Sequence, residues 1–209
     1  MLVDAKASSF ERLRAGVGGH VVLDFVNTCG GGTKDRDVER LVDWRDAVDW
    51  ATTNGLLDPT DHRLIEEALT RSGHRPSDLL KEITELRAIL HAVFSAMAAG
   101  RVPLEVDRLQ LEHYIVEAMK HSTLNVVGRP ACWTVCPEKS GCALMKDRLA
   151  IAANELLSQP ILSNVRECGA CSWLFLDLSR SRSRRWCSMA TCGNRAKAQR
   201  HYHLTKTTD

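Results

Sequence analysis

The chain has 209 residues, of which 44% are hydrophobic and 26% charged, a balance typical of a soluble folded protein. No run approaches the roughly 18 apolar residues that a membrane-spanning helix needs, which excludes an integral helical membrane protein. The N-terminal stretch lacks the apolar core of a secretory signal, so we expect a cytoplasmic protein, in which eight cysteines favour metal binding over disulfides.

The net charge of +2 conceals two parts of opposite sign. Residues 166–206 carry nine Lys and Arg against two acids, whereas the rest of the chain carries 19 basic and 24 acidic residues. A basic C-terminal module on an acidic body is the electrostatic footprint of a protein that binds a polyanion. A merely solvated basic surface is the alternative, because charged runs usually face water.

The N-terminal third predicts one strand and two helices. Residues 20–27 are rich in Val and Phe and alternate partly, which predicts a strand that runs into the glycine-rich turn at 29–33. The apolar spacing over 37–54 predicts a helix that stops at an Asn-Gly pair. A second helix should begin at the Asp-Pro pair 58–59 and end near Gly73.

The middle of the chain carries the strongest helical pattern. A helix over 77–99 is predicted by apolar residues spaced 4, 3, 4, 3 and 4 apart, namely Leu79, Ile83, Leu86, Leu90, Val93 and Met97. Another helix should start near Pro103, residues 123–136 should be extended with a break at Pro130, and 141–158 should again be helical. We place a domain boundary after this helix, which divides the chain into 1–160 and 161–209.

Four cysteines follow that boundary in a spacing typical of a zinc site. Cys168 and Cys171 form a C-x2-C pair, and Cys187 and Cys192 form a C-x4-C pair fifteen residues later. Four thiolates complete the tetrahedral shell of zinc and leave no open position for water, so we predict one structural zinc ion. Four buried cysteines without a metal are the alternative, which the polar flanks disfavour.

The residues around the cysteines predict the rest of this module. Residues 173–177 read as a strand, 179–183 as a charged turn and 184–186 as a return strand, so a hairpin should separate the two ligand pairs. A helix should follow over 193–204, with Cys192 at its N-terminus, where the helix dipole lowers the pKa of a thiol. Knuckle, hairpin and helix together predict a treble-clef zinc finger.

These motifs resemble a known family. The sequences CGAC at 168–171, RRWCSM at 184–189 and CGNR at 192–195 resemble the CGNR zinc finger, which is named after the last of them. The N-terminal part is similar to the ABATE domain that accompanies this finger in bacterial proteins, through LDFVNT at 23–28 and NGLL at 54–57. The resemblance implies an α+β protein: a mostly helical N-terminal domain with a small sheet that binds an unidentified ligand, and a treble-clef finger that binds DNA.

The resemblance and the charge pattern lead to two sets of candidate residues. Phosphate contacts are predicted for basic residues of the hairpin and helix: Arg180, Arg182, Arg184, Arg185, Arg195, Lys197 and Arg200. Ligand contacts are predicted near the end of the first strand, at His20, Asp24, Asn27 and Thr28. Turn-forming or core roles for these four are equally compatible with the sequence.

Three functions are compatible with this sequence. The favoured one is a stress-induced transcription regulator that contacts DNA through its finger and senses a small ligand. The second is a protein or RNA interaction module that uses the same basic surface. We expect no enzyme, since the sequence shows no nucleophile, paired carboxylates or phosphate-binding loop. Cys29, Cys132, Cys136 and Cys142 are expected to be packing residues, with a redox or second metal role as the alternative.

Overall fold

The first helix of the chain lies where the sequence predicts a strand. In the computed structural model, which describes residues 16–36, 38–127 and 131–206, helix α1 spans Val21–Val26 and all six of its residues are buried. The His20 imidazole caps it by accepting a hydrogen bond from the Val22 N–H at 3.2 Å. Val and Phe favour strands, but a segment that is apolar on every side can also be buried as a central helix, and packing decides between the two. The predicted strand is therefore wrong.

Six further helices and one small sheet complete the N-terminal part that the structure describes. The helices are α2 (Trp44–Thr53), α3 (Pro59–Ser72), α4 (Pro76–Ala98), α5 (Glu105–Lys120), α6 (Pro137–Ser140) and α7 (Leu144–Leu157). Strands β1 (Ser122–Asn125) and β2 (Cys132–Val135) pair antiparallel, with Ser122 opposite Val135. The predicted extended segment is thus confirmed, while Pro130 lies outside the described residues.

The helix ends follow the capping residues in the sequence. α2 starts at Trp44 because the Asp43 carboxylate accepts the Asp46 N–H at 3.0 Å, so the predicted start at residue 37, which lies outside the described residues, is too early. α3 starts after Asp58 in the same way and ends at Gly73, which adopts a left-handed φ of 70°. The predicted bounds of this helix are confirmed.

Helix α4 is the centre of the core. Leu79, Ile83, Leu86, Leu90 and Val93 of its predicted apolar stripe are all buried, and the helix packs against α1, α2, α5 and α7. It also buries Arg87, whose guanidinium donates to the Thr28 hydroxyl at 2.8 Å and to both carboxylate oxygens of Glu39. This ion pair ties the loop after α1 to α4.

The C-terminal module shares this core. Its strands β3 (Val165–Glu167) and β4 (Leu174–Leu176) form an antiparallel hairpin, and Val165, Leu174 and Leu176 lie in the same hydrophobic cluster as α1 and α4. Asn27 follows α1, and its side chain donates to the Leu174 carbonyl at 2.8 Å and accepts the Leu174 N–H at 2.9 Å. The core is therefore continuous across residue 160.

We predict that Asn27→Ala destabilises the whole protein. The substitution leaves the buried N–H and C=O of Leu174 without partners, which costs about 2–4 kcal/mol in free energy of unfolding. Urea denaturation followed by circular dichroism measures the loss. Gln110→Ala, at an exposed position of α5, is the control and should unfold at the wild-type midpoint. Equal midpoints for Asn27→Ala and wild type would contradict the role of this residue.

Candidate metal centre and basic surface

The first two cysteines occupy the turn of the β3–β4 hairpin. The Cys168 N–H donates to the Trp173 carbonyl at 2.9 Å, which closes the knuckle, and the Gly169 N–H donates to the Arg185 carbonyl at 3.0 Å. Both cysteines are fully buried. The hairpin therefore carries the first ligand pair at its tip, and the predicted return strand at 184–186 is wrong, since those residues are linked to the knuckle by this single backbone bond and form no strand.

The second pair stands at the start of the C-terminal helix. A wide helical turn over Met189–Gly193 leads into α8 (Asn194–Lys206). Cys187 lies just before that turn and Cys192 lies within it. A side chain at Gly193 would place Cβ 2.6 Å from the Met189 sulfur, so the Met189 side chain would have to move to admit it. The prediction of Cys192 at a helix N-terminus is confirmed.

The four sulfur atoms have the geometry of a zinc site. All four lie within 4.8 Å of one another, with Sγ–Sγ distances of 3.8 Å for Cys171–Cys187, 3.6 Å for Cys187–Cys192 and 3.7 Å for Cys171–Cys192. A tetrahedron with Zn–S bonds of about 2.3 Å has edges of about 3.8 Å. The donor set therefore fits one zinc ion, and its four protein ligands leave no position for a reacting water.

The electrostatics of the four thiols favour a cation at this point. Hydrogen bonds from Cys171 and Cys187 lower the pKa of Cys168, whereas the hydrogen bond to Cys168 raises the pKa of Cys171 to about 11. One thiolate thus suppresses ionisation of the next, because like charges at this distance repel. A divalent ion removes the conflict and holds all four sulfurs as thiolates.

Donors around the sulfurs stabilise their charge. The Ala170 N–H lies 3.5 Å from the Cys168 sulfur, and the Arg195 guanidinium donates to the Cys192 sulfur at 3.1 Å. Four thiolates on one Zn²⁺ carry a net charge of −2, so the Arg195 cation offsets part of it. The same guanidinium reaches the Gly31 carbonyl at 3.4 Å and so touches the N-terminal part as well.

The seven basic residues that the sequence proposes for phosphate contacts fall into two groups. Arg184 packs its guanidinium 4.6 Å over the Phe175 ring and donates to the carbonyls of Trp186 and Cys187, and Arg185 stacks 5.0 Å over Trp186. These two arginines and Arg195 make contacts within the protein. All seven are exposed at the surface, but the other four make no side-chain hydrogen bond or ring contact among the described residues: Arg180, Arg182, Lys197 and Arg200.

A buried carboxylate shapes the loop that presents Arg180 and Arg182. Asp177 accepts hydrogen bonds from the Ser179 hydroxyl at 2.5 Å, from the Ser179 N–H at 3.0 Å and from the Arg184 N–H at 2.8 Å. These bonds hold the pKa of Asp177 below its usual range, so the carboxylate stays charged. The loop is thereby tied at both ends while its tip faces solvent.

The four residues proposed as ligand contacts all make hydrogen bonds inside the protein. Asp24 accepts the Gly16 and Gly18 N–H groups, each at 2.8 Å, and burial raises its pKa. His20 caps α1, Asn27 pairs with Leu174, and the Thr28 hydroxyl donates to the Phe25 carbonyl at 2.7 Å. Burial also lowers the pKa of His20 to about 4, so its ring is neutral at pH 7. A ligand role for these residues stays a prediction.

The contact between the glycine-rich loop and the knuckle could not be read from the sequence. Lys34 donates to Glu167 and to the Cys168 carbonyl, both at 2.6 Å, and Arg40 stacks 5.0 Å over Trp173. These partners are more than 130 residues apart in the chain. The one sequence signal is the glycine run itself, because a Cβ at Gly31 would lie 2.6 Å from the Trp173 ring.

The remaining cysteines form no second cluster among the described residues. Cys29 donates to the Arg36 carbonyl at 3.3 Å, Cys136 donates to Glu138 at 3.2 Å, and all four cysteines outside the zinc site are partly buried. Within 16–36, 38–127 and 131–206, the zinc cysteines are the group of three or more potential metal ligands that comes close enough to share an ion.

The fold and the metal site define a class: an α+β protein whose helical N-terminal part is joined to a zinc finger with four cysteine ligands. Two family models match the chain in that order. The ABATE domain, described as "putative stress-induced transcription regulator", matches residues 19–160, and the CGNR zinc finger matches residues 164–203. The chain therefore belongs to the ABATE family and carries its finger, as the motifs predict. No match is found among curated proteins.

The structure adds one negative finding. None of the helices described within 16–206 is long and apolar enough to cross a membrane.

We predict that zinc removal unfolds only part of the finger. The β3–β4 hairpin is held by the main core, by Asn27 and by the bond from the Leu176 N–H to the Gly18 carbonyl at 2.8 Å, whereas Cys187, Cys192 and α8 depend on the metal. Hydrogen exchange after chelation should show fast exchange over 187–206 and continued protection at Leu174 and Leu176. Loss of protection in both regions, or in neither, would contradict this division.

We predict that Arg195→Gln weakens zinc binding without preventing folding. The substitution removes the cation that donates to the Cys192 sulfur, and outer-shell changes of this kind lower metal affinity about 10–100-fold. Competition with a chromogenic zinc chelator measures the affinity. Lys197→Gln, which removes one exposed charge two residues along the same helix, is the matched control and should keep the wild-type affinity.

Proposed function

We propose that this protein regulates transcription by binding duplex DNA through the exposed cations of its finger, and that its N-terminal part takes a small ligand. The observation that carries the first half is that four of the seven surface cations make no side-chain hydrogen bond or ring contact among the described residues. Arg184 and Arg195 are exposed but make bonds inside the finger, whereas the exposed side chains of Arg180, Arg182, Lys197 and Arg200 are left for a partner. Exposed cations on a rigid frame are what phosphate recognition needs.

The zinc site fixes the two basic segments relative to each other. The loop with Arg180 and Arg182 lies between Cys171 and Cys187, and the helix with Lys197 and Arg200 starts two residues after Cys192. Lys197 and Arg200 are three residues apart on α8 and so share one side of it. Folding and metal binding already fix these cations in place, so less conformational entropy is lost when a polyanion binds.

The acidic charge of the N-terminal part supports the proposal that a polyanion binds on the finger side of the molecule. Excluding residues 166–206, the chain carries 19 basic and 24 acidic residues, so its net charge repels phosphate. Attraction is therefore confined to the finger. A closed zinc shell with four sulfur ligands gives the metal a structural role, which favours a regulator over an enzyme.

We predict that removal of the four exposed cations abolishes salt-dependent DNA binding. Four phosphate contacts give a slope of about −4 for log affinity against log salt concentration. The variant Arg180→Gln/Arg182→Gln/Lys197→Gln/Arg200→Gln should lose about 100-fold in affinity at low salt and most of that slope. Fluorescence anisotropy with a 30-base-pair duplex between about 50 and 200 mM KCl measures both.

The control for this experiment removes the same charge from the N-terminal part. Arg45, Arg63, Arg71 and Arg101 are exposed there, and their replacement by Gln should leave DNA affinity close to wild type. Equal losses of DNA affinity in both variants would show that net charge alone accounts for the loss. That result would overturn the assignment of DNA binding to the finger. Tighter binding to single-stranded RNA of equal length than to the duplex would instead favour an RNA interaction module.

A further inference from the structure

A cavity of about 240 Å³ lies in the N-terminal part, away from the residues that the sequence proposes for ligand binding. It opens between β2 and α7, with the turn after α2 and the start of α1 completing the wall. The side chains that matter for recognition are Val21, Leu56, Trp133, Ile151, Arg148 and Glu155. Apolar cavities of about 150 Å³ hold a benzene ring, so this one has room for a substituted ring or a molecule of similar size.

The positive charge at the cavity is already neutralised. Arg148 donates to the two carboxylate oxygens of Asp61 at 2.5 and 2.9 Å and to the Leu56 carbonyl at 2.7 Å. Asp61 is 4% exposed. A guanidinium with a bidentate carboxylate partner and a carbonyl has few donors left for an anionic ligand.

The negative charge at the cavity has no partner. Glu155 is partly buried, and among the described residues its carboxylate makes no hydrogen bond or ion pair. Burial raises its pKa, because the ionised carboxylate loses hydration there. Because the charges of Arg148 and Asp61 cancel, the cavity carries one net negative charge when Glu155 is ionised.

We infer that this cavity binds a small organic cation, an ammonium group on an apolar or aromatic body. The Glu155 carboxylate supplies the counter-charge, and Val21, Leu56 and Ile151 supply apolar walls for the body. The Trp133 indole lines the same cavity, and aromatic rings attract ammonium groups. An anionic ligand of the same shape would meet the uncompensated carboxylate and be rejected.

Helix α1 connects this cavity to the finger. Val21 at its first position lines the cavity, and Asn27 directly after its last residue holds the Leu174 backbone of β4. The helix is six residues long and buried throughout, so a displacement of one end would be transmitted to the other. A cation that displaces Val21 would therefore shift the hydrogen bonds on which the hairpin depends. This link rests on the proposed function, whereas the binding site itself does not.

Calorimetry of the zinc-loaded full chain with three probes of one shape tests the site: benzylammonium, benzyl alcohol and benzoate. We expect benzylammonium to bind at least tenfold more tightly than benzyl alcohol, and benzoate not to bind. Glu155→Gln keeps the shape of the side chain and removes its charge, so it should lose at least tenfold in affinity for benzylammonium. Glu66→Gln, at an exposed position of α3, should bind like wild type.

Three results would overturn the inference: no benzylammonium binding, equal affinity for benzylammonium and benzyl alcohol, or unchanged affinity in Glu155→Gln. Thermal unfolding of both variants checks that each is folded at the temperature of the titration. The readout is separate from the DNA experiment. A protein that binds the amine and not DNA refutes only the DNA half of the proposed function, and one that binds DNA and not the amine refutes the cavity assignment alone.

Discussion

The complete burial of α1 is the constraint on which the rest of the structure depends. A helix enclosed on all sides must satisfy every polar group at its ends within the protein, because water does not reach them. His20 does this at the start, and Asn27 extends the pairing into β4. The Asp24 carboxylate meanwhile fixes the preceding turn through Gly16 and Gly18. One six-residue helix thus joins the N-terminal turn, the core and the finger.

The finger is held by two different forces. Its hairpin shares the main hydrophobic core, through Val165, Leu174 and Leu176, and adds backbone bonds to the N-terminal part. Around the metal site the finger has a small cluster of its own, in which Phe175 and the four cysteines are buried and Trp173 and Trp186 pack beside them. So few apolar side chains cannot fold a segment of this length, and the metal supplies the difference. The two tryptophans are therefore packing residues of the finger.

The arginines of the finger show that basic character in a sequence does not fix a role. Arg184 and Arg195 lie in the same basic run as Arg182 and Arg200, yet they stabilise an aromatic ring, two carbonyls and a metal ligand. Long cationic side chains often cover apolar or polar groups of their own protein in this way. Only contacts distinguish these arginines from the four cations that face solvent.

The sequence by itself determined the zinc ligands, the family, the α+β class and the long helices. The spacing of the metal ligands, the capping residues and the apolar periodicity of α4 are local properties of the sequence. Such local patterns are retained in the folded structure. The tertiary structure alone decided that residues 21–26 form a helix, that Asn27 is a structural bridge and that Glu155 stands unpaired in a cavity. Each of these depends on which residues from distant parts of the chain surround the position, and burial then overrides the local preference.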